Sequence, residues 1–192
     1  MSTRSKLLVT AELLLRTKGY AAFSYADLAH EVGVKKASIH HHFPTKEGLS
    51  VALVESYLFR FDKSLAQINE DHADVTARLK AFSAFFAESA KTGMLPLCGA
   101  LAAELAVLPD RLKALTKTFF EIHLAWLEDN LSTGQRVNTV KAEINPKEIA
   151  RAILSVLEGS CYIAWALKET VVDQSGFELI LKSSTVSYAG ID

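Results

Sequence analysis

Basic and hydrogen-bonding side chains are concentrated near the start of the chain, above all between residues 24 and 46. Lysine, serine and histidine recur there, and each can donate hydrogen bonds to phosphate oxygens or to base edges. Residues 1–50 contain seven lysines and arginines against four acids, a local charge of +3, whereas the whole chain carries −1. The remaining residues therefore carry −4. This asymmetry is expected of a chain that meets nucleic acid at one end.

Three consecutive histidines, His40, His41 and His42, also suggest a metal site. Successive residues of a helix project about 100° apart, so these imidazoles fan around the axis and cannot converge on one ion. A helical metal pair needs a spacing of three or four residues. The sequence therefore predicts no metal site here, and no cofactor is expected. Because imidazole gains charge near neutral pH, the histidines are better suited to phosphate.

Two short helices are predicted to carry these side chains, and the start of the first is well specified. Ser24 precedes an apolar-periodic segment and Asp27 follows three residues later, which is the pattern of a capping box. Phe23 and Leu28 have the spacing of a hydrophobic staple across that cap. Gly33 can adopt the left-handed conformation that closes a helix and permits a sharp turn. A second helix is expected to follow almost at once.

The second helix is expected to run from Lys36 to Phe43, with Ile39 and Phe43 one turn apart and facing the first helix. Its opposite face then carries the hydrogen-bond donors of the segment, Lys36, Ser38, His40 and His41. These residues alone leave two interpretations open. The pair is either a helix-turn-helix that grips DNA or a solvated surface with a few lysines, because short patterns of this kind also arise by chance.

The first sixty or so residues resemble the N-terminal DNA-binding domain of the TetR family of transcriptional regulators. The resemblance covers an amphipathic first helix, the turn after it, the helix pair and the opening of the next helix. The matching residues are Leu7, Leu8, Ala11, Leu14, Leu15, Lys18-Gly19-Tyr20, Phe23-Ser24, Leu28-Ala29, Val32-Gly33-Val34 and Lys36 through Leu49. The match is long, ordered and specific, and it favours DNA binding over a solvated surface.

The resemblance implies a role for each matched side chain, with a double-stranded DNA operator as the partner. Bases would be contacted by Lys36 and Ala37, phosphates by Ser24, Ser38, His40, His42 and Lys46, with Tyr25 and His41 as neighbouring contacts. One residue departs from the family pattern, because Lys35 stands where a serine or threonine commonly caps the recognition helix. Lysine cannot accept the capping hydrogen bond, so this helix is expected to begin less firmly.

The composition agrees with a soluble, all-α regulator in the cytoplasm. The chain has 192 residues, of which 49% are hydrophobic, enough to bury a substantial core. No leader peptide pattern opens it, and charges interrupt its apolar segments before the roughly 18 residues of a membrane span, so no membrane partner is expected. Cys98 and Cys161 cannot form a disulfide framework. Sustained polar–apolar alternation is absent, which argues against strands.

About nine helices are expected: a three-helix head, joined by a long helix to a helical effector-binding and dimerisation domain. Thr45 should cap the long fourth helix, and glycines should end the fifth and seventh, at Gly93 and Gly134. Asn145 as cap and Pro146 at the first position should open the eighth. The domain boundary is placed between residues 47 and 48, giving a DNA-binding domain over 1–47 and an effector-binding and dimerisation domain over 48–192.

The eighth helix is expected to be covered on two sides. Between Ile149 and Leu167 its only strongly polar residues are Arg151, Ser155, Glu158 and Ser160. A helix apolar nearly all round must be buried. It is either the central helix of a monomer or part of a subunit interface with the last helix, which contains Phe177, Ile180 and Leu181. The resemblance favours the interface, and it implies a homodimer through the last two helices.

Aromatic residues are dense along the fifth, seventh and eighth helices, and they are either ordinary core or the wall of an effector site. Polar residues lie among them: His123 is one turn from Phe119 and Trp126, and Glu158 is one turn from Tyr162. Glu158 should be paired, with Arg151 for example, or face a wet pocket. The candidate ligand-binding residues are Phe82, Phe86, Cys98, Phe119, His123, Trp126, Glu158 and Tyr162.

Three classes of function follow. The favoured one is a TetR-like DNA-binding regulator, in particular a repressor that a small-molecule effector releases from a pseudo-palindromic operator. The first alternative is a thiol-based sensor using Cys98, which lies near a helix N-terminus that can lower the pKa of a thiol, although a small buried residue is the simpler interpretation. The second is a helical dimer that acts only through protein contacts. A hydrolase is excluded because no nucleophile elbow is present.

Overall fold

Helices account for nearly all the regular structure of the chain. The computed structural model describes residues 2–186, without the side chain of Ala90, and within them are nine α-helices, one 3-10 helix and a lone antiparallel bridge between Val140 and Thr185. The helices are α1 (Thr3–Lys18), α2 (Tyr25–Val32), α3 (Lys36–His42), α4 (Lys46–Asp71), α5 (Val75–Lys91), α6 (Leu97–Ala103), the 3-10 helix (Leu105–Val107), α7 (Asp110–Arg136), α8 (Pro146–Leu167) and α9 (Ser175–Ser184). The all-α prediction is confirmed.

Helix α2 begins and ends as its sequence predicts. The Ser24 hydroxyl accepts hydrogen bonds from the amides of Ala26 and Asp27, and the Asp27 carboxylate accepts from the Ser24 amide at 2.8 Å. The Ser24 hydroxyl donates to the Asp27 carboxylate at 2.6 Å, and this bond, together with the Lys18 ammonium and the Ser24 amide, holds the pKa of Asp27 well below its usual range. Gly33 closes the helix in the left-handed region at φ 73°. Local chemistry alone therefore sets both ends of this helix.

The other predicted helix starts are equally local. Lys35 provides no side-chain hydrogen bond to the start of α3, as expected. Thr45 caps α4, because its hydroxyl accepts from the Gly48 amide at 3.0 Å. Asn145 accepts from the Lys147 amide at the start of α8, with Pro146 as the first helical residue. The side chains of Thr45 and Asn145 satisfy amides that have no partner inside the helix.

The prediction that Gly134 ends the seventh helix is wrong. Helix α7 continues through it to Arg136, and the left-handed residue is Asn138, at φ 56°. The amides of Thr139 and Val140 then turn back to the Gly134 carbonyl at 2.9 and 3.1 Å. A Cβ at position 134 would collide with the Val140 side chain. The glycine is needed for this close approach and not for a left-handed turn.

The described helices belong to two compact units, Met1–Asp62 with Met94–Phe120 and Lys63–Gly93 with Glu121–Asp192. In the first unit, α1 packs on α2 and α6, and α2 packs on α3, around fully buried Leu7, Leu15, Leu28 and Ile39. In the second unit, α8 packs on α5 and α9 around Phe82, Leu127, Leu157 and Phe177. The predicted boundary at residues 47 and 48 divides the chain by function and stays a prediction.

Helix α8 is long and apolar enough, by length and composition, to cross a membrane. Arg151 and Glu158 interrupt it, as expected, but an 18-residue stretch still passes that test. The core helix of a soluble protein passes it too, and one face of α8 is buried inside the second unit through Ile153, Leu157 and Cys161. The apolar composition is thus explained in part by packing within the unit.

Candidate nucleic-acid interface

The outer face of α3 presents six of the nine side chains that the sequence assigned to DNA. Four of them are exposed and two are half-buried: Lys36, Ala37, His40 and His41, and then Ser38 and His42. On the inner face, Ile39 is fully buried and Phe43 nearly so. Burial of Ile39 against α2 sets the rotation of α3 about its own axis, so the donors necessarily point outward.

Tyr25 holds the end of α3 in place. Its hydroxyl donates to the Phe43 carbonyl at 2.8 Å, and its ring lies edge-on to the His40 ring with centroids 4.9 Å apart. Partial burial, with a smaller contribution from Tyr20, raises the pKa of Tyr25 to about 12, so the hydroxyl stays protonated as a donor. The contact of Tyr25 with DNA stays a prediction, but its positioning of α3 is clear in the structure.

The histidines of α3 have separate surroundings. His40 Nδ1 lies 3.2 Å from the Pro44 carbonyl oxygen, a hydrogen bond in which Nδ1 donates and Nε2 stays available. The rings of His41 and His42 lie edge to face with centroids 5.3 Å apart. Among residues 2–186, no group of three or more His, Cys, Asp or Glu side chains could hold a metal ion. Because Nδ1 carries the hydrogen of the bond to Pro44, Nε2 of the neutral His40 ring is an acceptor, and it can donate to a phosphate oxygen only when the ring is protonated.

A pH titration of duplex affinity tests the role of His42. A protonated imidazole attracts phosphate more strongly than a neutral one, so affinity should rise as the pH falls from about 8 to about 6. His42→Gln keeps a hydrogen-bond donor but cannot gain charge, so its affinity should depend less on pH. The measurement is fluorescence anisotropy with a labelled duplex at constant ionic strength. Parallel titration curves for the two proteins would contradict this role.

Lys46, at the start of α4, is held inside the first unit in this structure. Its ammonium lies 4.6 and 4.5 Å from the ring centroids of Tyr20 and Phe23, and 3.5 Å from the Ala21 carbonyl oxygen. Partial burial lowers the pKa of Lys46, while the charges of Glu104 and Asp27 oppose that shift. The contact of Lys46 with a phosphate stays a prediction, and the structure shows that its ammonium is already engaged inside this unit.

Other cations near the start of the chain differ in how far they are available. Arg16 is buried and donates to the Leu95 carbonyl at 2.7 Å, and Lys18 pairs with Asp27 at 3.0 Å. Lys36 is exposed, and no carboxylate among the described residues lies within ion-pair distance of it. Fewer cations are therefore available to bind phosphate than the seven lysines and arginines of residues 1–50 suggest.

Arg4 is a candidate contact that sequence reasoning missed. Its exposed guanidinium carbon lies 5.2 Å from the centroid of the Phe43 ring, directly after the recognition helix. This contact places a cation beside α3, where a phosphate-binding group is useful. No periodicity relates positions 4 and 43, so only the positive charge of Arg4 could have drawn attention to it.

Half of the predicted effector residues form one aromatic cluster in the second unit. The Phe82 ring lies 5.5 Å from Phe86, 5.6 Å from His123 and 5.3 Å from Trp126, centroid to centroid, and the last pair is stacked. In the same unit Glu158 is buried and Tyr162 half-buried, whereas Arg151, its suggested partner, is exposed. We call Phe82, Phe86, His123 and Trp126 the aromatic cluster.

The two remaining predicted effector residues, Cys98 and Phe119, belong to the first unit. Phe119 packs there on Tyr57 and Phe61, with ring centroids 5.3 and 5.5 Å apart. Cys98 lies in the first turn of α6 and is 1% exposed. A thiol at this depth suits a packed core residue better than an oxidant sensor, because a sensor thiol needs access to solvent.

Trp126 contributes one feature that the sequence does not reveal. Its indole Nε1 is buried, and no hydrogen-bond acceptor among the described residues pairs with it. A buried donor without an acceptor costs about 1–3 kcal/mol, so such groups are uncommon in folded proteins. Any molecule that brings an acceptor to the aromatic cluster would recover part of that cost.

Exposed apolar side chains lie along α8, the segment after it and α9. The most exposed are Ile163, Leu167, Val171 and Leu179, at 61%, 64%, 71% and 69% of their surface. Trp165, on α8, is also about half exposed. Large apolar groups in contact with water along neighbouring elements mark a surface that another molecule covers.

Comparison with known proteins places these features in a family. Residues 7–53 match the model for bacterial regulatory proteins of the tetR family. The chain is 30% identical over 138 residues to the HTH-type transcriptional regulator CymR of Pseudomonas putida, covering 70% of this chain and 68% of that protein. A TetR-family regulator from Agrobacterium tumefaciens superposes with a TM-score of 0.90 at 25% identity, over 95% of this chain and 97% of that one. A regulator from Legionella pneumophila gives 0.82 at 26%, over 95% of each.

Proposed function

Because this chain belongs to the TetR family of bacterial transcriptional regulators, we propose that it is a repressor that a small-molecule effector releases from a pseudo-palindromic operator. It is a DNA-binding transcriptional regulator and not an enzyme. Regulators of this family are soluble, bind DNA operators and small-molecule effectors, and function as dimers. Repression, release by the effector and residence in the cytoplasm belong to the proposal.

The outer face of α3 is the observation that supports the assignment of DNA contacts. Lys36 and Ala37 stand exposed at its first turn, where a recognition helix meets base edges. Phosphates are assigned to Ser24, Ser38, His40, His42 and Lys46, with Arg4 added from its place beside Phe43. In this proposal residues 1–47 supply the DNA contacts, and residues 48–192 bind the effector and dimerise.

The dependence of duplex affinity on salt tests the DNA-binding face. Each neutralised phosphate should contribute about −0.9 to the slope of log K against log salt concentration. Lys36→Ala should weaken binding to the preferred duplex by about 1–3 kcal/mol and relax preference at one base position. Lys46→Ala should weaken binding to all duplexes alike and reduce the magnitude of the salt slope by about one. The measurement is anisotropy with a duplex that the wild-type protein selects from a randomised pool.

Lys80→Ala is the matched control for these lysines, because Lys80 is exposed on α5 in the second unit. Its affinity and salt slope should equal those of the wild type. An affinity of wild-type protein that does not change with salt would refute the DNA-binding role of this face. It would instead support the alternative of a dimer that acts only through protein contacts.

The subunit interface is proposed on α8 and α9, where the exposed apolar side chains lie. Two chains related by a two-fold axis would bury these groups against their own copies. A dimer presents two copies of α3 and reads two half-sites, which is why a pseudo-palindromic operator is expected. This interface accounts for the exposed side of α8, just as packing on α5 and α9 accounts for its buried side.

The effector site is proposed at the aromatic cluster of the second unit. Its rings suit a flat apolar ligand, and the buried Trp126 N–H calls for a hydrogen-bond acceptor on that ligand. The ligand must bind the DNA-free state more tightly, by about 1.4 kcal/mol for each tenfold loss of operator affinity. The burial of Cys98 does not favour the alternative of a thiol-based sensor.

A further inference from the structure

Side chains from two distant parts of the chain hold the backbone of Ala21 within the first unit. Ala21 lies in the turn between α1 and α2. Its amide donates to Glu104 Oε2 at 3.1 Å, and its carbonyl accepts from Lys46 Nζ at 3.5 Å. Glu104 lies between α6 and the 3-10 helix, 83 residues further along the chain. A single turn is thus held by an anion on its amide and a cation on its carbonyl.

The Glu104 carboxylate is closely fitted to this turn. Gly19 has φ +89°, and a Cβ at that position would lie 2.7 Å from Glu104 Oε1. Glu104 makes no side-chain capping bond to the 3-10 helix that follows it. Its carboxylate is therefore used by the turn between α1 and α2 and not by its own helix.

Glu104 also acts on Lys46 through its charge. The ammonium of Lys46 lies over the Tyr20 and Phe23 rings, partly removed from water, which disfavours its charged form. Glu104 is bound to the amide of the same residue whose carbonyl Lys46 contacts, and at that position its carboxylate, like that of Asp27, favours the charged form of Lys46. Asp27 is itself engaged by Lys18 at 3.0 Å, which leaves Glu104 as the carboxylate not paired with another lysine.

We propose that Glu104 restrains Lys46: the carboxylate retains the ammonium at the Ala21 carbonyl, so that Lys46 exchanges this site for an operator phosphate when the protein binds DNA. The inference rests on the proposed contact of Lys46 with phosphate. Any interaction that stabilises Lys46 at the Ala21 carbonyl weakens DNA binding, because affinity depends on the free-energy difference between this position and the phosphate-bound one.

The charge of Glu104 is tested by Glu104→Gln, which keeps an oxygen acceptor for the Ala21 amide and removes the negative charge. Affinity for the selected duplex should rise about two- to fivefold, the range expected when one of two interacting, partly exposed opposite charges is removed. In a Lys46→Ala background the same substitution should have no effect, because the group that Glu104 restrains is gone. Affinities are measured by anisotropy at constant salt, with full-length protein.

Glu143→Gln provides the matched control, since Glu143 is an exposed acid of the second unit, and it should leave affinity unchanged. An equal gain with and without Lys46 would overturn the proposal and indicate direct repulsion between Glu104 and DNA. A loss, or no change, in Glu104→Gln would overturn it as well. If instead the wild-type protein showed no salt-dependent duplex binding, the proposed function itself would fail.

Hydrogen exchange at the Ala21 amide separates charge from structure. Glu104→Gln should keep this amide protected, whereas Glu104→Ala should expose it to faster exchange while producing the same gain in affinity. If the glutamine side chain does not fit beside Gly19 and Glu104→Gln does not fold, the affinity comparison is made with Glu104→Ala. A gain in affinity that appears only when protection is lost would mean that Glu104 acts by ordering the turn, and would refute the restraint of Lys46.

Discussion

Leu179→Glu should convert the dimer into monomers and weaken operator binding by at least about a hundredfold. Leu179 is 69% exposed on α9, so glutamate at this position does not disturb the packing within the chain. In a two-fold interface it would bury two charges without partners, which is strongly destabilising. A monomer keeps one copy of α3 and about half of the phosphate contacts, so it loses the gain in affinity from simultaneous binding of both half-sites.

Light scattering and anisotropy measure the two parts of this expectation. The mass should fall from that of two chains to that of one 21.0 kDa chain, and the salt slope should fall by about half. Val107→Glu is the matched control, because Val107 is 60% exposed and belongs to the first unit, whereas α8 and α9 belong to the second. A Leu179→Glu protein that stays dimeric and binds the operator normally would show that the interface lies elsewhere.

Phe82→Ala should lower the free energy of unfolding by about 3–5 kcal/mol. Phe82 is 0% exposed and touches the rings of Phe86, His123 and Trp126, so its removal leaves a cavity that these rings cannot fill. The loss is a large part of the roughly 5–15 kcal/mol that a domain of this kind possesses. Urea titration followed by circular dichroism measures it.

The same variant decides between core and effector wall for the aromatic cluster. Phe85→Ala, on the same helix but half-buried, is the control and should cost clearly less. Small aromatic compounds should raise the melting temperature of the wild-type protein if the cluster is an effector site. If Phe82→Ala is as stable as the control and does not show this rise, Phe82 lines a ligand site and is not structural. A large loss of stability identifies Phe82 as a core residue whose ring supports the face that Trp126 presents.

The parts of the fold that could be predicted depend on short-range signals. The capping box of Ser24 and Asp27, the left-handed Gly33 and the cap by Thr45 each involve residues within about five positions of one another. Their chemistry is nearly independent of the rest of the chain, because the groups that need partners are the amides at the helix start. The outward orientation of Lys36 followed in the same way from the helical period and the burial of Ile39.

Features that could not be predicted depend on contacts between distant residues. A glycine at position 134 suggests the end of a helix. In the structure α7 continues through it, because the Val140 side chain packs closely against this glycine. The sequence suggests that Lys46 is free to bind phosphate, whereas in the structure its ammonium contacts the Tyr20 and Phe23 rings and the Ala21 carbonyl. Helical periodicity identified the aromatic residues as apolar but could not assign Phe119 to one unit and Phe82 to the other.

The sequence by itself determined the helical class, the helix-turn-helix, the family and the set of side chains that face outward on α3. These follow from local hydrogen bonding and from a period of 3.6 residues, which act within a few residues of chain. Tertiary structure decided which of those side chains are available. Lys36 stays exposed, Lys46 contacts the Ala21 carbonyl and two rings, and Arg4 lies beside α3 through Phe43. Charge and packing act between groups that are close in space, however far apart they are along the chain.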